Sequence, residues 1–215
     1  MVDMSSFHSV TIELHGGALT LAAICIGIKV IDIFWNRVLG DRGGKFRQGL
    51  KKASEYSTPT ILLASIFGVV GLVLSGITGS YLIPVETAAK SPIALNKIMI
   101  AIFATEFWTV MIATNLIFWE EAWIRRQTAI VMVMSGGLGY VFSIMGGSIG
   151  GTMGGKVSIL EPVWELLGVD LHSSWILSSE ILVALAAIVT VVGILLVAYS
   201  VKLAEIVGSV RKVSD

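Results

Sequence analysis

The sequence predicts an all-α protein: a polytopic membrane helix bundle of five transmembrane helices, N-terminus outside and C-terminus cytoplasmic. Three observations carry this. The 215 residues are 55% hydrophobic and only 14% charged, with a mean hydropathy of +0.86, far from the balance of a soluble domain. Apolar windows of about 20 residues, the length that crosses about 30 Å of hydrocarbon, recur along the chain. Lys and Arg are also unevenly shared between the connections.

The expected spans run over residues 10–35, 59–84, 93–119, 128–150 and 174–201, all within one domain covering residues 1–215. The N-terminal "MVDMSSFHSV" lacks the positive region of a signal peptide, so the first span reads as a retained anchor. The connection after it carries Arg37, Arg42, Lys45, Arg47, Lys51 and Lys52. The turn after the third span adds Arg125 and Arg126, and the tail adds Lys202, Arg211 and Lys212. Lys90, Lys97 and Lys156 are the basic residues of the other side, where Asp3, Glu13, Glu86, Glu161, Glu165 and Asp170 also fall. Basic loops stay in the cytoplasm, which sets the direction. Trp35, Trp119, Trp123 and Trp175 fall near span ends, where amphipathic rings favour the headgroup region.

Between the fourth and fifth spans lies an outer loop, residues 151–173. Within it, "LEPVWELLGVD" has Pro162 early and Gly168 late, the punctuation of a short helix lying on the outer surface as a cap. Gly150 to Lys156 fit the string G-x-x-x-x-G-K. A phosphate-binding loop, however, needs Ser or Thr after the lysine and a strand before it; Val157 follows here, and a long apolar run precedes.

The glycines have another use. On a helix, Gly146, Gly150 and Gly154 share one face, as do Gly147, Gly151 and Gly155, while Gly136, Gly137 and Gly139 thin the same span further down. Such a strip lets a neighbouring backbone approach closely, or lets a flat porphyrin or quinone ring lie against it. Gly146 and Gly150 are therefore candidate cofactor contacts.

Candidate chemistry gathers on the outer side. His8 and His15 are seven residues apart, two helical turns, and His172 lies just before the fifth span. His15 and His172 would present imidazoles from two helices at one level, as an axially bis-histidine haem or a small metal site requires. Gly16 and Gly17 leave room beside His15. Glu106 lies nine residues below Lys97, about 13 Å, near the bilayer midplane, where ionisable groups are functional candidates. Glu180, with Ser178 and Ser179, would extend a polar track toward it, making Glu106 and Glu180 the candidate proton-handling pair. The plainer reading of Glu106 is a hydrogen bond to Ser75 or Thr78. Lys29 and Asp32, three apart, read as a local ion pair.

Several classes fall away. Zero formal net charge gives no footprint for nucleic acid, and the one cysteine, Cys25, gives neither a disulfide framework nor a cysteine metal site. Hydrolase, zinc-protease and c-type haem motifs are absent. Few intramembrane charges and no visible inverted repeat speak against a secondary transporter.

Three stretches, "LHGGALTL" from Leu14 to Leu21, "GLVLSGITG" from Gly71 to Gly79 and "GYVFSIMGGSIGG" from Gly139 to Gly151, resemble small four-helix membrane proteins thought to bind haem b. The resemblance implies a histidine ligand at the outer end of the first helix, here His15. Such proteins tend to have proline where this chain has Gly16, and a second histidine at the start of the third helix, where Asn96 and Lys97 stand. His172 would replace that ligand.

These readings give one leading expectation: a redox-associated membrane subunit of the cell membrane, b-type cytochrome-like or part of a respiratory or membrane oxygenase complex, with haem b and a quinone as cofactors. The rivals are a structural subunit that meets other membrane subunits through the glycine strip and outer loop, and a proton- or ion-conducting protein centred on Glu106.

Overall fold

The computed structural model describes residues 3–40, 42–156 and 158–170, with scattered positions between 183 and 194. Among the described residues there is no strand. Four long helices carry the fold: α1 (Met4–Val38), α2 (Gly44–Leu82), α4 (Pro92–Phe118) and α6 (Arg126–Met153). All four are long and apolar enough to cross a membrane. Short helices sit in the connections: α3 (Val85–Ala88), α5 (Glu121–Ile124) and α7 (Glu161–Leu166). The expected fifth span, residues 174–201, lies outside the described residues, as do His172, Trp175 and Glu180.

The helices run up and down around a square, with α1 on α2, α2 on α4, α4 on α6 and α6 back on α1. Glycine decides where they close up. A Cβ on Gly68 would run into Leu19, and one on Gly71 would stand 2.8 Å from the Cβ of His15, so α2 meets α1 there without side chains between. Across the bundle, a Cβ on Gly139 would lie 3.1 Å from the Trp108 ring and one on Gly136 2.9 Å from the sulfur of Met111. Trp108, fully buried, donates its indole N–H to Ser143 Oγ at 3.2 Å. Leu19, Ile26, Ile61, Met111, Trp123 and Met132 complete this core. Large apolar side chains such as Ile24, Phe67, Val73, Leu116 and Val141 point outward, the surface a lipid environment requires.

The turn from α1 to α2 is made by Gly40 (φ 58°), Gly43 (φ 120°) and Gly44 (φ 52°). Gly43 is required twice over, by its backbone and because a Cβ would sit 2.9 Å from the Trp35 ring, whose N–H donates to the Arg42 carbonyl at 2.8 Å. α2 then begins at Gly44, not at Pro59 as the sequence led us to expect; the supposed basic connection is about four turns of helix, on which Arg47, Ser54, Ser57 and Thr58 are buried. Buried Ser54 and Ser57 face α1, and Arg47 binds Asp32. Pro59 lies inside α2, where its ring leaves the Glu55 carbonyl without its helical donor. Lys29 meets Glu120 just past the end of α4 and α1 continues to Val38, so the α1–α2 hairpin extends beyond that end.

Two further expectations are corrected. Lys29 and Asp32 do not pair with each other: Lys29 reaches Glu120 at 2.9 Å, at the end of α4, and Asp32 takes Arg47. Both lysine and aspartate are drawn across helices because neighbouring elements, not the next turn, hold their counter-charges. Trp123 is not an interfacial anchor but a buried core residue with Lys29 Nζ 6.0 Å from its ring centroid. The short outer helix does form. α7 begins with Pro162 in its first turn and closes at Gly168 (φ 74°), with Trp164 buried against Ile100, Met145 and Ile149.

Candidate functional site at the histidine end

The first half of α1 places His8, Thr11 and His15 at i, i+3 and i+7, on one face of one helix. That face turns toward the end of α2. Thr78 Oγ1 donates to the Leu74 carbonyl at 2.9 Å, so it accepts from His8 Nδ1, also at 2.9 Å. His8 also faces the Ser75 carbonyl, and a Cβ on Gly79 would lie 3.3 Å from its ring. Its ring is committed to tying α1 to α2.

His15 is held differently. Its Nδ1 lies 2.8 Å from the Thr11 carbonyl one turn back, and a carbonyl only accepts, so Nδ1 carries the proton. Nε2 then keeps its lone pair, and among the described residues it has no hydrogen-bond partner. This is the tautomer a metal-bound imidazole adopts, with the distal nitrogen oriented by a carbonyl acceptor. Gly71 lets α2 approach the His15 backbone at 3.2 Å from where a Cβ would stand. Among the described residues nothing lies within 4 Å of a Cβ built on Gly16 or Gly17, the next two positions of α1.

On the opposite side of the same end, Lys97 leaves the sixth residue of α4. Its Nζ rests over Gly150 of α6, 3.0 Å from where a Cβ would be, and Ile100 covers Gly146 at 3.4 Å. The strip formed by Gly136, Gly139, Gly146 and Gly150 is thus the seat of α4, while Gly137 and Gly147 have nothing within 4 Å. The charge of Lys97 reaches both His8 and His15. α7 closes one flank of this end: Trp164 donates its indole N–H to Ser148 Oγ at 3.1 Å, and Ser158 Oγ lies 2.9 Å from the same hydroxyl.

Glu106 is half-buried on α4, and among the described residues it has no hydrogen-bond partner. The bond to Ser75 or Thr78 considered from the sequence does not form, since Thr78 is engaged with His8 and Leu74. His172 and Glu180, the partners expected for His15 and Glu106, are outside the described residues. Among the described residues no three His, Cys, Asp or Glu side chains gather as a metal cluster. Sequence reasoning missed Lys97, whose half-buried side chain looked like an ordinary boundary lysine. It also missed a buried polar knot at the other end, where Asn115 Nδ2 donates to the Thr58 carbonyl at 3.3 Å. There, among the described residues, Asn115 Oδ1 and Thr58 Oγ1 are buried without partners. An asparagine in an apolar helix was the available signal. Searched against protein-family models, curated proteins and solved structures, the chain matches none.

Proposed function

We propose that this protein is a redox-associated subunit of the cell membrane, a b-type cytochrome-like bundle working within a respiratory or membrane oxygenase complex. The observation that carries the reading is His15. Its Nδ1–H is fixed by Thr11, and among the described residues its Nε2 lone pair is uncommitted and Gly16 and Gly17 have nothing packed on them. In this reading His15 and His172 are the axial ligands of one haem b, from the first and last spans. Gly146 and Gly150, seated against α4, hold the bundle closed rather than facing the ring. Electrons pass between a quinone in the bilayer and a partner at the histidine end. Glu106 and Glu180 move the accompanying protons.

Protein purified from its native membrane, reduced with dithionite, is expected to show a low-spin b-type spectrum. His15→Ala or His172→Ala removes or converts that spectrum, and His8→Ala leaves it, because His8 is already engaged by Thr78. Glu106→Gln preserves the spectrum and slows quinone-linked turnover. A native preparation without haem ends this reading.

One observation favours a second reading, a structural subunit. Gly137 and Gly147 of α6 have no neighbour within 4 Å, and Met134 and Val141 beside them are exposed, a face suited to close approach by another membrane helix. Subunits that co-purify with the native chain and are lost in Gly137→Leu would support it. Loss of the haem spectrum and loss of partners are separate readouts.

A further inference from the structure

α2 keeps two faces in step along its whole length. Arg47, Ser54, Ile61 and Gly68, spaced by seven, are buried on the side that meets the rest of the bundle. The opposite side carries Tyr56, Leu63, Val70, Ile77 and Tyr81, at steps of seven and four, and each is at least 49% exposed. Exposed apolar side chains running between two tyrosines are the surface a helix turns to acyl chains, with an amphipathic ring at each head-group level. From Tyr56 to Tyr81 the helix rises about 37 Å, the hydrocarbon core and part of both interfaces. The two ends of this line then differ. Past Tyr81 come Ile83, Pro84 and Val85, with no charge before Glu86. Past Tyr56 the same face continues through Lys52, Gly49 and Lys45, all exposed. Nothing lies within 4 Å of a Cβ built on Gly49, so the backbone between the two lysines is open to an approaching group. Lys51 and Glu55 are four apart on the flank beside this line, where opposite charges one turn apart answer each other. Apolar side chains, then a tyrosine hydroxyl, then open backbone and ammonium groups follow the order of acyl chain, glycerol ester and phosphate in an anionic phospholipid.

We propose that the outward line of α2 binds one anionic phospholipid of the leaflet on the side of the α1–α2 turn. The acyl chains lie along Leu63 and Val70. The Tyr56 hydroxyl and the Lys52 ammonium, one turn apart on the same face, donate to the phosphate, and Lys45 two turns further out answers the remaining negative charge. A phosphatidylcholine with the same chains makes the same apolar contact but brings its own ammonium, so it gains little from the two lysines. The site is independent of haem, since it lies on the side of α2 turned away from α1 and His15.

The test is native mass spectrometry of the full chain released from a neutral detergent, titrated with dioleoylphosphatidylglycerol or dioleoylphosphatidylcholine. The expected result is one phosphatidylglycerol held more tightly than any phosphatidylcholine. Lys52→Gln and Lys45→Gln each weaken that binding by about fivefold, the contribution of one cation at a charged membrane surface. Lys52→Arg, which keeps the charge, retains it. Lys51→Gln and Arg126→Gln remove equal charge away from the line and leave the binding unchanged. Equal weakening by all four glutamine variants would mean attraction to total charge rather than a site, and overturns the proposal. Equal retention of the two lipids overturns it as well. So does a native preparation in which Lys52→Gln loses a co-purifying protein while phosphatidylglycerol binding stays the same, an outcome that gives this face to a protein partner. Tyr56→Phe removes the hydroxyl alone and also weakens phosphatidylglycerol binding; should a lysine variant not fold, this substitution decides.

Discussion

A methyl group on Gly71 would stand 2.8 Å from the Cβ of His15 and 3.2 Å from its Cα and backbone nitrogen, none of which can swing aside. On Gly150 the same methyl would meet only the far end of a lysine. The least forgiving helix glycine is therefore not in the conspicuous double-glycine run but at Gly71, since Gly68, Gly136 and Gly150 would each meet the end of a flexible side chain. Gly71→Ala is expected to cost about 1–3 kcal/mol through overpacking, read as a lowered unfolding midpoint, while Gly76→Ala, with open space around it, is neutral or slightly stabilising. Equal midpoints for the two variants would mean that α2 is not seated on His15. Thr58 gives the opposite sign. Its hydroxyl is buried without a partner among the described residues, so Thr58→Val, which keeps the shape and removes the polar atom, should leave stability unchanged or raise it by about 1 kcal/mol.

At the scale of elements, α5 and the end of α4 are tied to α1 through one asymmetric ion pair. The Lys29 side chain is 6% exposed and that of Glu120 45%. Glu120→Gln strands a buried ammonium and should lower stability by about 2 kcal/mol, more than Lys29→Met, which leaves an exposed carboxylate free to hydrate. In the double variant the loss should be smaller than the sum of the two, a coupling that unfolding midpoints measure directly. The apolar windows made all four long helices legible in the sequence, because hydrocarbon thickness sets their length. The beginning of α2 was not legible, since residues 44–58 carry no apolar stripe and their partners, Asp32 and the α1 surface, are distant in sequence. The ion pairs were misread for the same reason, as spacing along one helix says nothing about the helix opposite. Within the site, His15 was visible as a residue type beside two glycines, whereas the seating of Lys97 over Gly150 is a property of three-dimensional surroundings.

For the described residues, the basic connections, α1 to α2 and α4 to α6, lie at one end, and His8, His15, Lys97 and α7 at the other. The positive-inside rule predicts that the basic end faces the cytoplasm. With Cys25 replaced by Ser, single cysteines at Gly44 and Ser158 should label with an impermeant reagent from opposite faces of the membrane. A cysteine at Ser214 should label from the same face as Gly44 if the chain crosses five times. Labelling of Ser214 from the face of Ser158 would leave an even number of crossings and take away the fifth span that is to carry Glu180 toward Glu106.

The α1–α2 hairpin has a practical use that follows from its reach beyond the bundle. A membrane chain of this size is nearly hidden by its detergent belt and offers little for a crystal lattice to grip or for image alignment to lock onto. Here two antiparallel helices emerge together, buttressed by Arg47 on Asp32, and are joined by only a few residues around Gly40 and Gly43. Replacing that short turn with a rigid helical insert, in register with both strands of the hairpin, would continue the helices outward and give the molecule a fiducial arm, fixed to the same two helices that carry His15 and Gly71.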